Sequence, residues 1–436
     1  MKLVRNLILC WFFCAAFQAN AVVDITVNRG TVEPTPIAIP FFSGKDMYQK
    51  KIGQNMLEVI ERDLVFSGFF APLDQEIFMQ TSGEMIDNPR YNDWRIIQAQ
   101  LVLASEIKFV SRGRLSVQSH LYDSFSEKEL LTIKLKMDID DWRKTAHMIA
   151  DKVYAHVTGE RGYFNTKIIY ISDSGTAINP VKRLAMMDQD GMNVKYLTDG
   201  KAITMSPHFS PDGKLVTFLS YRDGHPKVYL MNLDAQRSKP LVDAKGMTFA
   251  PRFSPDNTKV IYSVSKFGNS SIFEMNLATR KVKRLTSGYH IDTSPSYSPD
   301  GAKIVFESDR GGYQQLYVMD LKTNETKRIS FGKGLFGTPV WSPKGNLIAF
   351  TRIANGQFAI GVMRPNGDGM RIIVEDFHVE APDWSPNGRR LIYFRETRPK
   401  RGQLKRDSKL YTIDLTGYDE QLVPTYDNAS DPAWSL

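Results

Sequence analysis

From Lys167 onward, apolar and polar positions alternate in short runs broken by turn residues. One stretch shows the unit. Lys303-Ile304-Val305-Phe306-Glu307-Ser308 reads as a strand, Gly311-Gly312 breaks it, and Gln315 to Leu321 reads as a second. Lys322-Thr323-Asn324 turns the chain, and Thr326 to Ser330 is a third. A fourth, short strand ends at the next aromatic residue. Before Thr166 the pattern differs. Ile52, Met56, Leu57, Ile60 and Leu64 recur at helical spacing within Asp46 to Ser67, and Asp93 can cap a short helix through Ile97. Ala146, Ile149, Ala150 and Val153 give a last helix its apolar side; Asp140 or Asp141 caps it and Thr158-Gly159 stops it. Pro36 to Phe42, Leu101–Val110, Leu115–Tyr122 and Leu130–Met137 are strand candidates.

The strand pattern has a period. Tyr297-Ser298-Pro299-Asp300-Gly301 is preceded by Phe209-Ser210-Pro211-Asp212-Gly213 and Phe253-Ser254-Pro255-Asp256-Asn257. Trp341-Ser342-Pro343-Lys344-Gly345, Trp384-Ser385-Pro386-Asn387-Gly388 and the terminal Trp434-Ser435-Leu436 follow. The aromatic residues are spaced by 44, 44, 44, 43 and 50 residues. A four-stranded unit repeated at this interval is a propeller blade. Ser-Pro-Asp-Gly is turn chemistry, not a catalytic serine: Pro presets φ, Asp bonds to nearby backbone and Gly tolerates positive φ. Lys167–Ser172, Arg183–Met187 and Val194–Thr198 lack an aromatic strand before them, and Pro432-Ala433-Trp434-Ser435 lacks any after it. The C-terminal strand therefore closes the first blade, and the count is six. The fold class expected is mainly β: a six-bladed propeller over 166–436 preceded by a small α+β domain over 35–165.

The N-terminus is an export leader. Lys2 and Arg5 form the charged region, Leu7 to Phe17 is apolar but short for a membrane span, and Ala19-Asn20-Ala21 is a cleavage site after Ala21. Cys10 and Cys14 are the only two cysteines, and both fall inside this leader, so the mature chain needs no disulfide. Residues 22–34 follow as a lone strand that either pairs with the chain's own sheet or extends a partner's. The net charge of +8 becomes +6 without the leader and is spread along the chain; with no basic–aromatic interleaving, no nucleic-acid partner is expected. Nothing after the leader is long enough to span a bilayer.

Catalytic patterns are missing. There is no Gly-x-Ser-x-Gly elbow, and the seven histidines form no His-x-His or His-Glu-x-x-His set. Asp188, Asp190 and Asp368 read as turn residues. Neither cofactor nor metal is called for. Variable loops just before each aromatic strand converge on one mouth of a propeller channel: Met205-Ser206, Thr248-Phe249, Asp292-Thr293, Phe336-Gly337-Thr338, His378-Val379-Glu380 and Ser430-Asp431. The basic insertion Arg395 to Lys409 reads as a solvated loop or an anion contact. On these residues a protein-binding adaptor, a glycan-binding or glycan-cleaving propeller, and the non-catalytic part of a peptidase-like assembly all remain open.

The repeats, the terminal Pro-Ala-Trp-Ser, the export leader and the α+β domain without a hydrolase together resemble the TolB family of the Tol–Pal envelope system of Gram-negative bacteria. The resemblance covers essentially the whole mature chain. It implies a non-enzymatic periplasmic adaptor without cofactor, linking inner-membrane Tol proteins to the peptidoglycan-associated lipoprotein Pal, for outer-membrane integrity and envelope constriction at cell division. It implies Pal binding at the propeller mouth, with Met247–Phe249 and Asp292–Ser294 matching the family's Pal-facing loops. It also implies TolA binding by the mature N-terminus, here Val23, Asp24, Ile25, Thr26 and Val27. Other envelope proteins and imported colicins are further partners in the family. Two positions depart from the family pattern: Ser294 stands where the family has an acid, and Met247 near a family histidine.

Overall fold

The computed structural model describes residues 27–28, 31–242, 246–398 and 406–436. The leader, its cleavage site and Val23 to Thr26 lie outside them, as does the centre of the basic insertion. Val27–Asn28 pairs with Thr31–Val32 in a two-stranded hairpin, where a lone strand was expected.

Residues 35–158 form an α+β layer. Its sheet has five strands in the spatial order Phe70–Pro72, Thr35–Ala38, Leu101–Ser111, Arg114–Asp123, Lys128–Asp138. Helix α1, Met47–Phe66, is capped by Asp46, whose side chain accepts from the Gln49 amide at 2.8 Å. Two short helices follow, α2 (Ser82–Asp87) and α3 (Tyr91–Ile96). The sequence reading missed α2, although Thr81 and Glu84 form a complete capping box. Helix α4, Trp142–Thr158, ends where Gly159 takes a left-handed conformation. The apolar faces of α1 and α4 bury Ile52, Met56, Ile60, Ile149, Ala150 and Val153 in one core.

Six four-stranded antiparallel sheets follow. Their innermost strands are Thr204–Phe209, Met247–Phe253, Asp292–Tyr297, Leu335–Trp341, His378–Trp384 and Asn428–Trp434, belonging to blades 2, 3, 4, 5, 6 and 1. Asn428–Trp434 pairs with Lys167–Gly175, so the last strand completes blade 1 and closes the ring. The Ser-Pro turns are structural, as expected. Ser298 Oγ donates to Asp300 at 2.5 Å while accepting from the Lys303 amide at 2.9 Å, which ties the turn across its base. That bond is the main cause holding the Asp300 carboxyl below its usual value.

The α+β layer sits on this turn end. Asn387 and Lys344, both in Ser-Pro turns, reach Tyr154 and Glu160. Buried Arg390 donates to the Phe66 carbonyl at 3.3 Å and to Asp419 at 2.5 Å. Gln189 donates to Asp63 at 3.0 Å, and Asp63 in turn pairs with His147 at 2.6 Å. Burial lifts the Asp63 carboxyl to about 6 despite that partner. The opposite end of the channel stays open.

Candidate functional site at the open end of the propeller

Each innermost strand enters the channel through the same irregularity. Its pairing register shifts once, between Met205 and His208, Phe249 and Arg252, Thr293 and Ser296, Gly337 and Val340, Glu380 and Asp383, and Ser430 and Ala433. The bulged residues are Ser206, Ala250, Ser294, Thr338, Ala381 and Asp431, all at positive φ between 43° and 54°. Each precedes a buried proline: Pro207, Pro251, Pro295, Pro339, Pro382 and Pro432. Proline has no N–H, so the position that the bulge leaves unpaired strands no donor. Six side chains are thereby thrown toward the channel at one level. Six coincident positive-φ positions mark a geometric device repeated around the ring.

The layers above this ring follow from strand alternation. Three residues before each bulge lie Ile203, Met247, Ile291 and Leu335, between 41% and 49% exposed, with His378 and Asn428 completing the rim. Tyr289, Phe331 and Tyr426, on the loops that lead into these strands, are exposed as well. An apolar rim left in water is the surface signature of a partner site. Two residues before the bulge, the chain turns inward. Thr204, Thr248, Asp292, Phe336, Val379 and Ala429 are all buried. Thr248 Oγ1 accepts from the Val228 amide of the neighbouring blade at 2.9 Å, and Asp292 holds Arg310 at 2.9 Å. Thr248, Asp292, Thr293 and Phe336 were expected at the mouth as contact residues; the structure buries all four between or within blades, where they position the rim. Met205, Ser206, Ser294, Thr338, Glu380 and Asp431 do line the mouth, around a cavity of about 270 Å³. Met247 and His378 stand on the rim, and Phe249 and Ser430 are half-buried beside it.

The mouth is acidic inside. Buried Glu307 accepts from Ser294 Oγ at 2.9 Å and from the Thr338 amide at 3.3 Å, and burial pushes its carboxyl up to about 7. Gly337 makes this possible, because a Cβ there would lie 2.5 Å from Glu307 Oε2. Hydrogen bonds to Glu380 at 3.2 Å and Glu396 at 2.7 Å raise His378 to about 9. Asp431 accepts from the Ser206 amide at 3.3 Å, and burial raises its carboxyl. Below, His208, Arg252 and Asp383 cross the channel. Sequence reasoning named neither Ile203, Ile291 and Leu335 nor Glu307. The signal for the first three was the repeated X-Pro, whose spacing fixes the rim three residues upstream of each bulge. Elsewhere, His147, Asp188 and Asp190 bring ligand atoms within 4.8 Å of one another. Arg143 pairs with both aspartates and Lys167 with Asp188, so this group reads as an ion-pair network joining the domains.

Two family models match this chain. One, described as the TolB beta propeller domain, covers residues 154–436, and the other, the TolB amino-terminal domain, covers residues 23–130. The chain belongs to the TolB family. A protein of Pelagibacter ubique named "Tol-Pal system protein TolB" is 51% identical over 97% of both chains. Another of that name, from Paramagnetospirillum magneticum, is 53% identical over 97% of this chain and 94% of its own. The crystal structure of TolB from Acinetobacter baumannii superposes with a TM-score of 0.81 at 28% identity, covering 92% of this chain and 97% of that one. The TolB amino-terminal domain and propeller are thus both present, in that order. Among the described residues, no helix is long and apolar enough to cross a membrane.

Proposed function

We propose that this chain is a periplasmic, non-enzymatic adaptor of the Tol–Pal system. Its open propeller mouth docks the lipoprotein Pal, and its mature N-terminus engages TolA, so that the chain links inner-membrane Tol proteins to the outer membrane during envelope constriction. One observation carries the reading: this propeller keeps one channel end free of its own amino-terminal domain, and that end carries an apolar rim over a ring of six bulges. Relatives named as Tol-Pal system proteins point to the system. The export leader supports a periplasmic location. The division of labour into a 22–34 segment, an α+β domain and a propeller follows the same reading.

The acids at the mouth are the one feature that favours glycan cleavage, since glycosidases work with paired carboxylates. Each is already engaged here: Glu307 by Ser294 and Thr338, Glu380 by His378, and Asp431 by Ser206. The adaptor reading is the better one. Its test is titration of the mature chain with the soluble domain of Pal from the same organism. Saturable binding at micromolar concentration or tighter supports it, and no complex there counts against it.

A further inference from the structure

The aromatic residues that count the repeats do more than close strands. Phe209, Phe253, Tyr297, Trp341, Trp384 and Trp434 converge on the turn end of the channel, where they line a cavity of about 240 Å³. Their polar atoms are engaged by protein acceptors. Tyr297 Oη donates to Glu274 at 2.9 Å, Trp341 Nε1 to the Gly345 carbonyl at 3.1 Å, Trp384 Nε1 to the Val340 carbonyl at 3.0 Å and Trp434 Nε1 to Thr166 at 2.8 Å. The rings therefore offer the cavity apolar surface.

The cavity's inner wall is polar and incompletely satisfied. Arg252 Nη1 donates to His208 Nδ1 at 2.8 Å and lies 3.8 Å from Asp383 Oδ1, beyond hydrogen-bond length. Asp383 Oδ2 is occupied by the Trp434 amide at 2.8 Å. No other described residue accepts from Arg252, so its Nε and Nη2 donors have no protein acceptor. His208 accepts at Nδ1, which places its ring proton on Nε2 as a further free donor. Burial, with Arg252 beside it, keeps that ring neutral. A half-buried guanidinium with two donors that no protein group occupies, facing an apolar chamber, suits an anion with an apolar body. The volume exceeds the ~150 Å³ cavity that admits benzene, so one aromatic ring with a short acid tail fits. Asp383, next to Arg252, disfavours a second negative charge.

We propose that the turn end of the channel binds a small amphiphilic monocarboxylate. The acid group sits on Arg252, beside His208, and the apolar body sits among Trp341, Trp384 and Trp434. His208 and Arg252 also line the mouth cavity, so the two cavities share these residues, but the aromatic chamber lies at the turn end and the proposal does not depend on the adaptor reading.

The test is ¹⁹F NMR of the full mature chain carrying 5-fluorotryptophan, titrated with 3-phenylpropionate. Trp341, Trp384 and Trp434 report the cavity, and Trp94 and Trp142, in the α+β layer, are internal controls. The expected result is saturable shifts of the three cavity signals alone, with a dissociation constant on the order of 1 mM or tighter. The neutral 3-phenylpropanamide should bind at least about tenfold more weakly, as expected for loss of a charge-assisted bond. Arg252→Gln should lose about as much, and Arg252→Lys should recover only part of it, because an ammonium cannot reproduce the two-donor Nε/Nη2 face. Equal binding of acid and amide, shifts confined to Trp94 and Trp142, or no saturable shift overturns the proposal. The acid–amide comparison uses the unaltered chain, so it decides the matter even if Arg252→Gln fails to fold.

Discussion

Trp434 carries the closure of the ring, and Trp434→Ala is the cleanest way to weaken it. The residue is 3% exposed, packs edge-on against Tyr163 at 6.0 Å between ring centroids, and donates from Nε1 to Thr166. Removing a buried tryptophan side chain costs about 3–5 kcal/mol, and leaving Thr166 without its donor adds about 1 kcal/mol. For a propeller of 271 residues (166–436), each kcal/mol lowers Tm by roughly 2–3 °C. A loss of about 10 °C or more in a calorimetric melt is therefore expected. The location of the effect matters as much as its size. Trp434 pairs with Ile168 in the register that joins the last strand to Lys167–Gly175. Hydrogen exchange should accelerate first in those two strands, because the ring opens at its seam, with blades 3 and 4 following only on global unfolding. A Tm shift below about 3 °C, or unchanged exchange at residues 167–175, would refute closure by this strand.

Three further outcomes follow from the packing. Glu307 is held at about 7 against a reference of 4.5, so the native chain keeps a proton that the unfolded chain releases; stability must fall as pH rises across that window, by about 3 kcal/mol. Denaturant melts at pH 5 and pH 8 should show this loss in the parent and a much smaller one in Glu307→Gln. Gly337→Ala places a Cβ 2.5 Å from Glu307 Oε2, and should cost about 1–3 kcal/mol while raising the dissociation constant of any partner seated on the mouth. Arg390→Met removes the bond to the Phe66 carbonyl, one of several between the domains, and the bond to Asp419 within the propeller, and should lower Tm by several degrees in a calorimetric melt.

The fold was legible because its repeat is written in residues with few alternatives. Aromatic-Ser-Pro at a fixed spacing set the number of blades, and an orphan Pro-Ala-Trp-Ser had one partner to find. The site was harder to read for a specific reason. A bulge inserts one residue into each innermost strand, and counting alternation through it shifts which side chains face the channel. Thr248, Asp292 and Phe336 were assigned to the mouth on position alone and turn out to be the layer wedged between blades. Ile203, Ile291 and Leu335 were not singled out by the sequence pattern. Only the register shift at each X-Pro sorts the two sets. Glu307 was out of reach altogether, because it belongs to a second strand and meets Ser294 and Thr338 only through blade packing.

The central claim is that the open mouth is the docking surface for Pal. Isothermal titration of the mature chain against the soluble Pal domain, beside the double variant Ile291→Asp and Leu335→Asp, tests it most directly. Both residues are more than 40% exposed, so the variant should melt like the parent. The account predicts saturable binding by the parent and at least about a hundredfold weaker binding by the variant, since two charges are placed in an apolar rim. Equal affinity for parent and variant would contradict it.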